Sequence, residues 1–259
     1  MRLVRAEIQK LMTTRLWWVM LLVLFLYMAL QIGVTIGFAG QVGAQGQPVI
    51  PARGTVPFQE VVWSMGAGGA LFPMILGIVM MTAEYRYQTI TGTFLATPRR
   101  ERVVAAKLGA GVLVGLAFGL AVLVLEGAAV VVATLAAGED VAVNAKIARI
   151  AVGVLAVLAL YTLFGIGLGA LVRNQLGAIV GGVIWVLLVE SLVNAIPALQ
   201  PVGKWTPAGA AAAVTNSEVD LGVGTEFLLP AWAGAGVLLG YGVLFALVAS
   251  VTTVRRDIT

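Results

Sequence analysis

The chain contains no cysteine and no histidine among its 259 residues. No disulfide can form, no thiolate can bind metal, and no imidazole can act as ligand or base. A histidine-based triad and a zinc-protease helix are excluded with them. The serines are Ser64, Ser191, Ser217 and Ser250, and no base stands in a recognisable pattern with any of them. No G-x-x-x-x-G-K-[ST] run occurs, so the chain lacks a phosphate loop that could cradle ATP.

Charge is scarce as well. Only 11% of residues are charged, whereas a soluble domain carries about 25%. The complement is a hydrophobic share of 60%, more than a soluble core of this size can hide. These two figures point to a membrane protein. The net charge of +4 could suggest nucleic acid. The positive residues flank apolar runs instead, which fits an anionic membrane surface and no nucleic acid.

Six apolar runs are long enough to cross about 30 Å of hydrocarbon at about 1.5 Å per residue. They cover roughly 16–38, 61–82, 103–136, 148–172, 175–196 and 228–252. The expected fold is an all-α, six-span membrane domain over residues 1–259. The third run exceeds one perpendicular crossing and should tilt or project into water. The first is too long for a signal-peptide core and reads as a retained helix.

Loop charges set the expected orientation. Arg2, Arg5, Lys10, Arg15, Arg86, Arg99, Arg100, Arg102, Lys107, Arg173, Arg255 and Arg256 fall on one side. Arg53, Lys146, Arg149 and Lys204 fall on the other. The richer side is cytoplasmic, so both termini should lie in the cytoplasm of a multi-pass inner-membrane protein.

Three segments lie outside the spans. Residues 1–15 place Leu3, Val4, Ile8, Leu11 and Met12 near one helical face. Arg2, Arg5, Glu7, Gln9 and Lys10 lie mostly around the other, the pattern of an interfacial helix. The loop at about 39–60, rich in Gly, Gln and Pro, reads as a flexible linker. In the loop at 197–227, Thr206 can cap a helix that opens at Pro207 and runs through an alanine stretch, with Trp205 at the outer interface.

Between spans two and three stands TAEYRYQTITGTFLATPRRERVVAAK, residues 82–107. Residues 85–97 read as a short projecting helix in which Ile90, Phe94 and Leu95 form an apolar knob. Thr89, Thr91, Thr93 and Thr97 keep the rest polar without charge, and Pro98 stops the helix. Arg99, Arg100 and Arg102 can snorkel where the third span begins. An apolar knob on this side suggests a protein partner that docks from the cytoplasm.

These segments resemble the permease subunit of type-2 ABC exporters. The likeness rests on EIQKLMTTRLWW (7–18), on AEYRYQTITGTFLATPRRERVVAAK (83–107) and on WTPAGAAAAV (205–214). The matching positions of the central motif are Glu84, Arg86, Thr89, Leu95, Pro98, Arg99, Arg102 and Lys107. Tyr87-Gln88 stands where a pair containing glycine is commoner in that family. The resemblance implies that Thr89–Thr97, within a cytoplasmic segment at 83–102, is a coupling helix seated in a separate ATPase subunit. It implies two permease copies, identical or not, with two ATPases that hold the ATP and Mg, and no catalytic residue, metal or cofactor on this chain.

Two carboxylates, Glu126 and Glu190, fall within spans, where a charge is costly. Gly111, Gly115 and Gly119 repeat every fourth residue, and Glu126 shares their face. Glu190 aligns with Asn194 and Pro197. One reading makes Glu126, Glu190 and Asn194 candidates for lining a translocation path. The other makes the carboxylates structural, hydrogen-bonded or paired with Lys146 or Arg149. Gly66, Gly68 and Gly69 in span two, Gly165, Gly167 and Gly169 in span four, and Gly236 and Gly240 in span six are expected to allow close helix packing, and Pro73 to kink span two. Two rival functions remain: a secondary transporter driven by an ion gradient, with Glu126 and Glu190 as its ion-coupling candidates, and a membrane enzyme.

Overall fold

Beyond Lys146 and Arg149 near its start, the helix Ala145–Val172 has small or apolar side chains on nearly every face, and a helix apolar all round belongs in an interior. In the computed structural model this helix is the axis around which the others are arranged. The model describes residues 2–43, 48–89, 100–172, 174–215 and 228–252. In chain order the helices are α1 (Arg2–Met12), α2 (Leu16–Phe38), α3 (Val56–Ser64), α4 (Leu71–Arg86), α5 (Arg100–Ala136) and α6 (Ala145–Val172). They continue with α7 (Gln175–Ile184), α8 (Glu190–Ala195), α9 (Gln200–Gly203), α10 (Pro207–Thr215) and α11 (Ala231–Thr252).

The chain is all-α among the described residues, and five of its helical stretches are long and apolar enough to cross a membrane. They are Leu16–Phe38, Val56–Arg86, Arg102–Ala136, Ala145–Val172 and Gln175–Val193. The apolar part of α11, Ala231–Phe245, is shorter. The outward stripe of α2, with Leu22, Leu26 and Leu30, is exposed, as expected of a surface that lipid covers.

Helices α4, α5 and α11 pack on α6. The α4–α6 crossing brings backbone against backbone: a Cβ on Gly165 would strike the Met74 carbonyl, and one on Gly77 the Thr162 carbonyl. The Gly111, Gly115 and Gly119 row faces α6, against Ile166, Ala159 and Leu155 respectively. The expectation for Gly236 and Gly240 differs from the structure. Both face open space, and α11 meets its neighbours through Gly234 and Gly242 on another face.

Span two departs from expectation in two ways. It begins at Val56, because Thr55 caps α3 by accepting a hydrogen bond from the Phe58 N–H, and part of the supposed linker is therefore helix. The axis is interrupted before Pro73, at the 3-10 turn Met65–Ala70, whose sequence MGAGGA weakens an α-helix. Pro73 is the third residue of α4, where its missing N–H breaks no bond.

The loop at 197–227 is largely helical where it is described. Thr206 caps α10 as expected, accepting from the Gly209 N–H at 3.3 Å. Helix α10 is buried among its neighbours. Its alanines let α6 and α11 approach, with Gly153 against the Val214 carbonyl and Gly234 against the Ala210 carbonyl. A π turn at Trp185–Val189 precedes α8 and stacks residues five apart. Trp185 Nε1 accordingly donates to Glu190 Oε1 at 3.0 Å, and the Ala208 N–H donates to Glu190 Oε2 at 3.0 Å.

Candidate functional site

Lys107 lies about two turns inside α5, on the face that buries Val103, Ala106, Ala110 and Val114. An ammonium there must find acceptors. It finds three: Lys107 Nζ donates to Glu7 Oε2 at 2.7 Å, to Glu84 Oε1 at 3.0 Å and to the Met80 carbonyl at 3.1 Å. Lys10 closes the group, donating to Glu7 Oε1 at 2.6 Å and to Glu84 Oε1 at 2.7 Å. Two carboxylates and two ammonium groups thus form a neutral quartet joining α1, α4 and α5.

Burial sets its energetics. Glu7, Glu84 and Lys107 are 7%, 4% and 1% exposed, so solvent screens their attraction little. Lys10 sits at the rim with its side chain half exposed. Burial alone would lower the Lys10 pKa. Its hydrogen bonds to Glu7 and Glu84 and their negative charge outweigh burial and hold it above 10.5. A raised lysine pKa stabilises the fold fully below the unfolded value and ceases to do so as pH climbs through the folded one. Lys10 therefore stays charged and bonded throughout the physiological range.

Helix α1 differs from the expected interfacial helix. Val4, Ile8 and Leu11 turn inward and pack on the core, whereas Leu3 and Met12 are exposed. Glu7, expected on the watery face, lies in the inward seam between Val4 and Leu11. The helix is docked against α5 by an apolar stripe with one ion-paired carboxylate in it.

The Glu-x-Arg spacing on α4 separates two tasks. Residues two apart on a helix point about 200° apart. Glu84 faces the quartet, and Arg86 faces the surface, where its Nη1 donates to Gln175 Oε1 of α7 at 3.4 Å and its guanidinium lies over the Tyr87 ring. Arg102 is exposed on the first turn of α5.

The expected projecting helix at 85–97 must be redrawn at its start. Residues 85 and 86 belong to α4, which ends in a Schellman motif. The Thr89 N–H donates to the Glu84 carbonyl at 3.0 Å and the Gln88 N–H to the Tyr85 carbonyl at 3.3 Å. Gln88 takes φ +55, the left-handed conformation that glycine adopts without strain. Replacing Gln88 by glycine should stabilise the chain by about 1 kcal/mol, read as a higher midpoint of thermal unfolding in detergent. An unchanged or lower midpoint would mean that α4 does not end in this motif. Ile90, Phe94, Leu95, Pro98 and Arg99 lie outside the described residues.

The intramembrane candidates do not converge on one site. Glu190 is 1% exposed, and both its oxygens are engaged within the chain by Trp185 and Ala208. The Asn194 side chain is outside the description. Glu126 is fully buried beside the Gly66 backbone, Val122 and Val154, and no side chain among the described residues bonds its oxygens. Of the two cations expected as possible partners, Lys146 bridges Glu60 at 2.8 Å. Among the described residues no group of His, Cys, Asp and Glu could hold a metal ion.

No protein-family model and no curated protein matches the chain.

Proposed function

We propose that the chain is the membrane permease of an ATP-driven exporter of the type-2 ABC class. It has six spans with both termini in the cytoplasm of the inner membrane. A second permease copy completes the translocation path, and a pair of separate ATPase subunits binds ATP and Mg.

The observation that supports this reading most is the quartet. The sequence resemblance rests on pieces far apart in the chain: EIQK in α1, Glu84 at the end of α4 and Lys107 after the arginine cluster. Buried ion pairs bring them together. The Lys and Arg distribution favours the cytoplasm for this end of the bundle, where an ATPase would dock.

In the proposed cycle, ATP closes the ATPase pair and that motion reaches the permease through the segment between α4 and α5. The spans then shift between inward-facing and outward-facing arrangements. This chain contributes a docking element and a path, and no bond-breaking chemistry.

The reading is tested at its docking element. Replacing Phe94 or Leu95 by aspartate puts a charge into the apolar contact with the ATPase. Each variant should insert normally and lose at least tenfold in permease-dependent ATP hydrolysis by the reconstituted complex. Full activity in both variants would remove the segment from the coupling route.

A further inference from the structure

We infer that α1, the end of α4 and the start of α5 move as one rigid unit, with Glu7, Lys10, Glu84 and Lys107 as its positioning residues. The inference rests on the permease reading and adds α1 to the elements that carry the motion.

The bonding pattern is the reason. An ammonium has three protons, and Lys107 directs them to three acceptors on two other helices: Glu7 on α1, Glu84 and the Met80 carbonyl on α4. Its hydrogen-bonding capacity is saturated. Glu7 uses one oxygen for Lys107 and the other for Lys10, and Lys10 returns to Glu84. The bonds therefore close a ring through α1, α4 and α5. Parting any two of these helices would strand a charge in an interior that offers it little solvent.

An apolar seam runs beside the ring. Val4, Ile8 and Leu11 seat α1 on the core, and a Cβ on Gly109 would lie 3.4 Å from Val4 Cγ2. Packed interfaces of this kind hold or release; they do not stretch. Only three residues, Thr13–Arg15, separate α1 from α2. A push on the chain between α4 and α5 would consequently reach α2 as well as α4 and α5.

Absence of cysteine makes the test direct. Val4→Cys with Gly109→Cys places two thiols across the α1–α5 seam, where a disulfide fixes that distance. The chain is reconstituted with its ATPase in liposomes, and ATP hydrolysis is compared before and after oxidation. A rigid unit predicts turnover within about twofold of the reduced protein. It also predicts equal disulfide yield without nucleotide, with ATP and in a vanadate-trapped state. A tenfold fall on oxidation, reversed by reductant, or a yield that changes with nucleotide, would show that α1 slides on α5 and would overturn the inference.

A second arm uses Lys107→Met, which should lower turnover at least tenfold; the disulfide added to that variant should restore it. A purely local packing role predicts no such restoration, and its absence would overturn the inference. If the unmodified chain forms no complex with the ATPase, the permease reading itself fails and takes this inference with it.

Discussion

Replacing Lys107 by methionine should destabilise the chain by about 3–5 kcal/mol, the cost of leaving buried charges without their partner. Methionine keeps much of the volume and apolar stem, so lost packing is a minor part of that cost. Glu7 would retain only the half-exposed Lys10, and Glu84 would share it. Adding Glu7→Gln removes the surplus charge and leaves one carboxylate facing one ammonium. The double variant should recover more than half of the lost stability, a non-additivity expected only of residues in direct contact. Thermal unfolding in detergent, followed by tryptophan fluorescence, reads both effects. A single variant as stable as the parent would mean that Lys107 is not in the quartet.

Gly165→Ala should be nearly as damaging, although it adds a single methyl group. That methyl would meet the backbone carbonyl of Met74, and the facing Gly77 has the Thr162 carbonyl in the same relation. Side chains can rotate away from a clash, but two backbones can only separate, and separation opens the interface between α4 and the central helix. Overpacking typically costs about 1–3 kcal/mol, and a backbone obstacle on both sides puts this position at the upper end. Gly236→Ala on α11 is the matched control. It adds the same methyl into open space and should not destabilise; helix propensity predicts a gain of up to about 1 kcal/mol. Equal effects at the two positions would contradict the crossing geometry.

The helices were legible in the sequence because apolar runs of membrane length are hard to mistake. The row at Gly111, Gly115 and Gly119 was legible too, since small residues four apart mark one face. What periodicity could not reveal was partnership. Glu7 looked solvated because its neighbours Arg2, Arg5 and Lys10 are charged; its inward turn depends on a lysine one hundred residues away. A signal was present nonetheless. Lys107 occupies the same helical face as Val103, Ala110 and Val114, and a cation on a buried face requires a carboxylate nearby.

Other arrangements lie beyond periodicity for the same reason. The alanine run at 210–213 has the propensity of a surface helix, and only the glycines at 153 and 234 on distant helices open the space that buries it. Pro73 attracted the expected kink, whereas the interruption belongs to the glycine-rich turn just before it. Glu190 looked like part of a polar stripe. The π turn gives it Trp185 and the start of α10 as partners, an arrangement that 3.6-residue periodicity does not produce.

The permease reading is tested most directly by purification. The chain, tagged and extracted in mild detergent, is isolated together with an ATPase carrying a phosphate loop, taken first from the gene beside its own. A stable complex of two copies of the chain or of a permease pair with two ATPases, whose ATP hydrolysis falls when Phe94 becomes aspartate, is the predicted result. A chain that binds no such ATPase and carries out transport alone when an ion gradient is imposed across liposomes would contradict it.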